Sequence, residues 1–103
     1  MMSNAFASSA APTAASAVAV SCFSVVATAE VDVMARVLGA FAKRGILPDR
    51  WYSSVAGNGD GLHIDVQVAG LDRPQRERIA QSLRQMVEVQ TVLTSEKRYA
   101  LSA

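Results

Sequence analysis

Cysteine, histidine and tryptophan each occur once in the 103 residues, and there are three prolines. A single cysteine, Cys22, excludes an internal disulfide framework and any cysteine-based metal cluster within one chain. Val20, Ser21 and Phe23 around it read as strand, with no cationic neighbour to favour a thiolate, so Cys22 reads as a small buried hydrophobe. His63 is equally isolated. A catalytic or metal role would need further ligands or a nucleophile, so it reads as an exposed strand residue beside Asp65.

Charge is absent from the start of the chain. The first charged side chain is Glu30 and the first basic one is Arg36. A secretory signal needs a positive segment ahead of its apolar stretch, and none is present. The uncharged run is rich in Ala, Ser and Thr, too weakly apolar to span a bilayer. The expectation is a cytoplasmic protein with no membrane contact. Ten basic and nine acidic residues leave a formal net charge of +1. Arg36, Lys43, Arg44 and Arg50 are offset by Glu30, Asp32 and Asp49, which leaves no basic face of the kind nucleic-acid binding requires.

What is present suits one domain. A chain of this length can bury roughly two thirds of the surface its unfolded form exposes, so a core forms without disulfides. Residues 1–17 are dominated by Ala and Ser and offer little apolar surface against their ordering entropy; disorder is expected there. The ordered domain is expected over residues 18–95, followed by a polar tail over 96–103.

Val18 to Ala27 reads as a central strand, apolar on both faces. Thr28 or the acids Glu30 and Asp32 are placed to cap a following helix, in which Met34, Val37, Leu38 and Phe41 form an apolar stripe. Asp32 and Arg36 sit one turn apart, Lys43 and Arg44 suit a helix C-terminus, and Gly45 supplies a left-handed cap. Trp51 to Ala56 is a second strand, and Gly57-Asn58-Gly59-Asp60-Gly61 is a hairpin turn, where Asn and Gly are expected to supply the positive φ such turns require. That glycine cluster joins two strands, whereas a phosphate cradle needs a strand-loop-helix context.

The third strand alternates cleanly. Leu62, Ile64, Val66 and Val68 point one way, and His63, Asp65, Gln67 and Ala69 the other. Asp72 with Gln75 makes a capping box for a second helix, with Pro74 in the first turn and Ile79, Leu83, Met86 and Val87 as its stripe. A last strand is expected over about Val89 to Thr94. The order β-α-β-β-α-β predicts an α+β, ferredoxin-like sandwich: a four-stranded antiparallel sheet with two helices on one face.

That architecture hosts many functions, so function rests on particular residues. An RNA-recognition module would carry aromatic and basic residues on its third strand, and Leu62 to Val68 has none. An acyl phosphatase of this shape would carry an Arg-bearing glycine loop where Thr28-Ala29-Glu30-Val31-Asp32 stands. No nucleophile-base pair, metal set or cofactor motif is visible.

The stretch Phe23 to Arg98 resembles an ACT domain. It carries Arg36-Val37-Leu38, Phe41-Ala42-Lys43-Arg44-Gly45, and Leu83-x-x-Met86-Val87-Glu88-Val89 followed by Val92. Within that family it is similar to the short small subunit of acetolactate synthase. The resemblance implies a non-catalytic regulatory domain without cofactor. It implies a homodimer joined into an eight-stranded sheet, and a catalytic acetolactate synthase subunit of branched-chain amino-acid synthesis as partner. A free-standing amino-acid sensor is the alternative it leaves open. Its ligand positions fall on the loop from Thr28 through Glu30 and Asp32 to Val33, facing Trp51, Tyr52 and Ser53 of a neighbour. Helix N–H groups suit a ligand carboxylate, and Asp32 or Glu30 its ammonium group. Where ligand-binding members often carry glycine at the start of the first helix, this chain has Glu30-Val31-Asp32.

Overall fold

Alternating β-branched and aromatic residues build the middle of the sheet. A computed structural model of the chain describes residues 17–100. β1 (Ala17–Thr28) lies between β3 (Gly61–Ala69) and β4 (Val89–Ala100), antiparallel to both, and β2 (Arg50–Val55) pairs with β3. The strand order is β2-β3-β1-β4, the ferredoxin-like arrangement predicted from the element order.

One face of the sheet is the core. Register sets Val25 opposite both Ile64 and Val92, and Phe23 opposite Val66. These side chains meet Val33, Val37, Ala40 and Phe41 from α1 (Val31–Ala42) and Ile79, Ala80 and Leu83 from α2 (Arg73–Arg84) in one buried cluster. Phe23 and Phe41 pack edge to face, centroids 5.2 Å apart at 81°. Each such fully buried side chain stabilises the fold by about 1.5–3 kcal/mol through removal from water.

The two helices are punctuated differently. At α2, Asp72 Oδ1 accepts from the Gln75 N–H at 2.8 Å and Gln75 Oε1 accepts from the Asp72 N–H at 2.9 Å, the capping box legible in the sequence. At α1, Thr28 belongs to β1, the N-cap is Glu30, and no side chain caps the helix. At the other end of α1, Gly45 (φ +72°) lets the Ile46 N–H reach Phe41 O at 3.1 Å and its own N–H reach Ala42 O at 2.9 Å. That is a Schellman closure, with Ile46 packed on the core.

Four expectations change. Met34 and Leu38 are 37 % and 43 % exposed, while Val33 and Ala40 take their places against the sheet. The apolar arc of α1 is wider than one stripe, and the sheet accepts only half of it. Val87 lies beyond the end of α2, in the turn before β4, and is exposed. β4 runs on past Thr94 to Ala100, because Ala17 to Ser21 of β1 extend far enough to pair with Glu96 to Ala100. The stretch expected as a polar tail is therefore strand over 96–100. Finally, Asn58 does not adopt positive φ in the β2–β3 turn; Gly59 does, at +79°, and Asn58 Oδ1 accepts from the Asp60 N–H at 3.0 Å. The segment expected to be disordered, residues 1–17, lies outside the described residues apart from Ala17, which opens β1. Residues 101–103 also lie outside them.

Candidate functional site

The end of β1 and the first turn of α1 form a short loop held from both sides. The Thr28 N–H donates to Glu88 O at 2.9 Å, in the turn between α2 and β4, and the Ala29 N–H to Asp60 O at 3.3 Å, in the β2–β3 turn. Glu30 and Asp32 are exposed on this loop, whereas Val33 is wholly buried in the core. Of the four loop positions expected to meet a ligand, Thr28, Glu30 and Asp32 are accessible and the Val33 side chain is not.

Arg36 ties this loop to the α2–β4 turn. Its Nη1 donates to Glu88 Oε2 at 2.6 Å and lies 3.9 Å from Asp32 Oδ2. The guanidinium hydrogen bond holds the Glu88 carboxyl below the usual carboxylate range, and Glu88 in turn raises Arg36. Glu88 Oε1 is buried without a hydrogen-bond partner among the described residues. The sequence placed Arg36 one turn from Asp32 and Glu88 only within a family pattern; their pairing was not legible, because residues so far apart in sequence meet only in the fold.

The strand positions divide by the two-residue period of β2. Trp51, opposite Val66, and Ser53, opposite Ile64, lie on the helix side. Trp51 packs partly on the core, and the Ser53 hydroxyl lies 3.8 Å from Met34 Sδ on α1. Tyr52, opposite Asp65, is on the other face. There it borders a shallow trough of about 860 Å³ whose floor and walls include Cys22, Ser24, Asp65, Leu93 and Lys97. Trp51 and Ser53 therefore share a surface with α1, and Tyr52 does not.

That shared surface is apolar. Val31, Met34, Leu38, Leu47, Pro48 and Trp51 line an open groove of about 460 Å³ along the outer flank of α1, next to β2. Val31 and Leu47 are almost wholly exposed. Sequence reasoning missed this groove because it assigned Met34 and Leu38 to the core. The signal was present in Val31, Met34 and Leu38, a second stripe at i, i+3 and i+7.

Among the described residues, no three His, Cys, Asp or Glu side chains are grouped so as to hold a metal ion. No helix among them is long and apolar enough to cross a membrane.

Solved structures share this architecture. The ACT domain from GTP pyrophosphokinase of Chlorobium tepidum superposes with a TM-score of 0.64 at 10 % identity, over 74 % of this chain and 96 % of that one. The C-terminal domain of the MgtC protein from Mycobacterium tuberculosis gives 0.58 at 18 % identity, over 84 % and 95 % of the two chains. At these identities the likeness is one of fold. No curated protein matches the sequence. A family model for an ACT-like domain matches residues 14–100, which include all four strands and both helices, and the chain belongs to that ACT-like domain family.

Proposed function

We propose that this chain is a non-catalytic regulatory domain that works as a pair of copies, joined along β2 and the outer flank of α1. The apolar groove beside β2 carries this reading. A sheet edge unpaired among the described residues and flanked by Val31, Met34, Leu38 and Leu47 is costly to leave in water, and a second copy offers the same surface in return. The two edges of the sheet differ in a way that favours β2. β4 carries Glu96, Lys97 and Arg98, charges of the kind that discourage strand addition, while β2 has a single charge, Arg50, at its start.

In that pair each Thr28-to-Asp32 loop lies near the neighbour's Trp51 and Ser53, the position the family resemblance gives to an amino-acid ligand. The uncapped α1 N-terminus suits its carboxylate, and Glu30 or Asp32 its ammonium group. The proposed partner is a catalytic acetolactate synthase subunit, on the strength of the sequence resemblance. Light scattering on the protein alone and mixed with that subunit tests the reading. A dimer that shifts to a mixed complex supports it, and a monomer that ignores the enzyme overturns it. A dimer that ignores the enzyme but gives heat with one of the twenty amino acids by calorimetry would move the reading to a free-standing sensor, which Trp51 beside the loop supports.

A further inference from the structure

Three of the eight arginines are answered by a carboxylate among the described residues: Arg36 by Glu88, and Arg76 and Arg98 by Glu96. Arg44 and Arg78 are not. Neither has a carboxylate within ion-pair distance among the described residues, and both line one notch of about 230 Å³ with Ile46, Gln75 and Ile79. The notch lies where the C-terminal end of α1 meets the first turns of α2.

The donors in it are organised. Arg44 Nη1 donates to Ala40 O at 2.9 Å and Nη2 to Ser82 Oγ at 2.9 Å, and Ser82 in turn donates to Arg78 O at 3.1 Å. The Arg44 guanidinium is thus fixed between the helices, and the rest of its five N–H donors have no protein partner among the described residues. Gln75 is committed by its oxygen to the capping box, which leaves its amide NH₂ as the group free to donate. Ile79 is fully buried and, with Ile46, gives the notch an apolar side, where charge-assisted bonds weaken less than in bulk water. The neighbouring acids are Asp72, whose carboxylate serves as the N-cap, and Glu77; neither lines the notch.

We infer that this notch between α1 and α2 binds a phosphoryl-type oxyanion on Arg44, Arg78 and the Gln75 amide. Two planar guanidinium forks with no internal counter-ion match tetrahedral oxygens better than they match a cation or an apolar group. The notch is separate from the β1–α1 loop and the β2 edge, so the inference stands or falls independently of the pairing reading.

Titration of the ¹⁵N-labelled full chain with inorganic phosphate, followed by NMR at constant ionic strength, tests it. Saturable shifts are expected at residues 44–46 and 75–79. Arg44→Gln and Arg78→Gln should each weaken binding about tenfold or more, the range for losing a charge-assisted bond. Arg73→Gln, an exposed cation on the same helix outside the notch, should leave it unchanged. A phosphate monoester such as glycerol phosphate serves as the second probe. Tighter binding of the monoester assigns the site to a phosphorylated ligand, and tighter binding of inorganic phosphate to the free anion. Equal shifts with chloride, or equal weakening by Arg73→Gln, would overturn the inference. Both arginines are exposed, and retained spectral dispersion in each variant separates loss of a binding group from loss of the Arg44 bridge to Ser82.

Discussion

Arg36 on α1 and Glu88 in the α2–β4 turn meet at 2.6 Å, although 52 positions separate them. Between them they fasten the start of α1 to the turn whose backbone also receives the Thr28 N–H. Because Arg36 holds Glu88 below its ordinary carboxylate value, the pair stabilises the fold at neutral pH. That contribution is present above the unfolded carboxylate's titration and is lost as pH falls through the depressed folded value. Glu88→Gln should therefore lower the urea midpoint at pH 7 and flatten the decline in stability on acidification. Wild type and variant should converge at the acid end; a constant gap down to the lowest pH would show that the ion pair is not the cause.

The groove along α1 predicts a separation between assembly and folding. Leu38→Glu places a charge on the outer stripe, away from the buried residues Val33, Val37, Ala40 and Phe41. Its effect on monomer stability should stay within about 0.5 kcal/mol, as for other surface changes. Light scattering should nevertheless show the mass falling to that of a monomer. Trp51, the chain's one tryptophan, borders the same groove, so its emission should shift to the red in the variant.

The contact of Phe41 with Phe23 predicts a large loss in the opposite setting. Both rings are buried, and Phe41→Ala would leave a cavity between α1 and the sheet. The expected cost is about 3–5 kcal/mol, a large share of the roughly 5–15 kcal/mol that holds a domain together. Chemical denaturation measures it directly, and a loss below about 1 kcal/mol would mean the core re-closes around the alanine.

At α2 the reciprocal bonds of Asp72 and Gln75 predict an intermediate cost. Asp72→Ala removes the acceptor for the Gln75 N–H and should destabilise the protein by about 1 kcal/mol. Asp72→Asn, which keeps a capping oxygen, should recover most of it in the same denaturation assay.

Local chemistry in the sequence determined much of this protein. The strict alternation of Leu62 to Val68, the Asp72–Gln75 box, the glycine stop at Gly45 and the order of elements each state a backbone preference within a few residues, and together they determine the fold class. Other features depended on what the elements met. Periodicity placed Met34, Val37 and Leu38 on one side of α1, but only packing against the sheet decided that Val33 and Ala40 go inside while Met34 and Leu38 stay out. The residues Glu96 to Ala100 read as a tail because nothing local to them signals a strand; the length of β1 beside them supplies the partner. Trp51, Tyr52 and Ser53 are consecutive in the chain, yet the pleat sends Tyr52 to the opposite face. The Arg36–Glu88 pair and the Arg44–Arg78 notch arise from residues on separate elements. Tertiary structure alone decided these, because side chains distant in sequence can act together only once packing has brought their elements within a few ångströms.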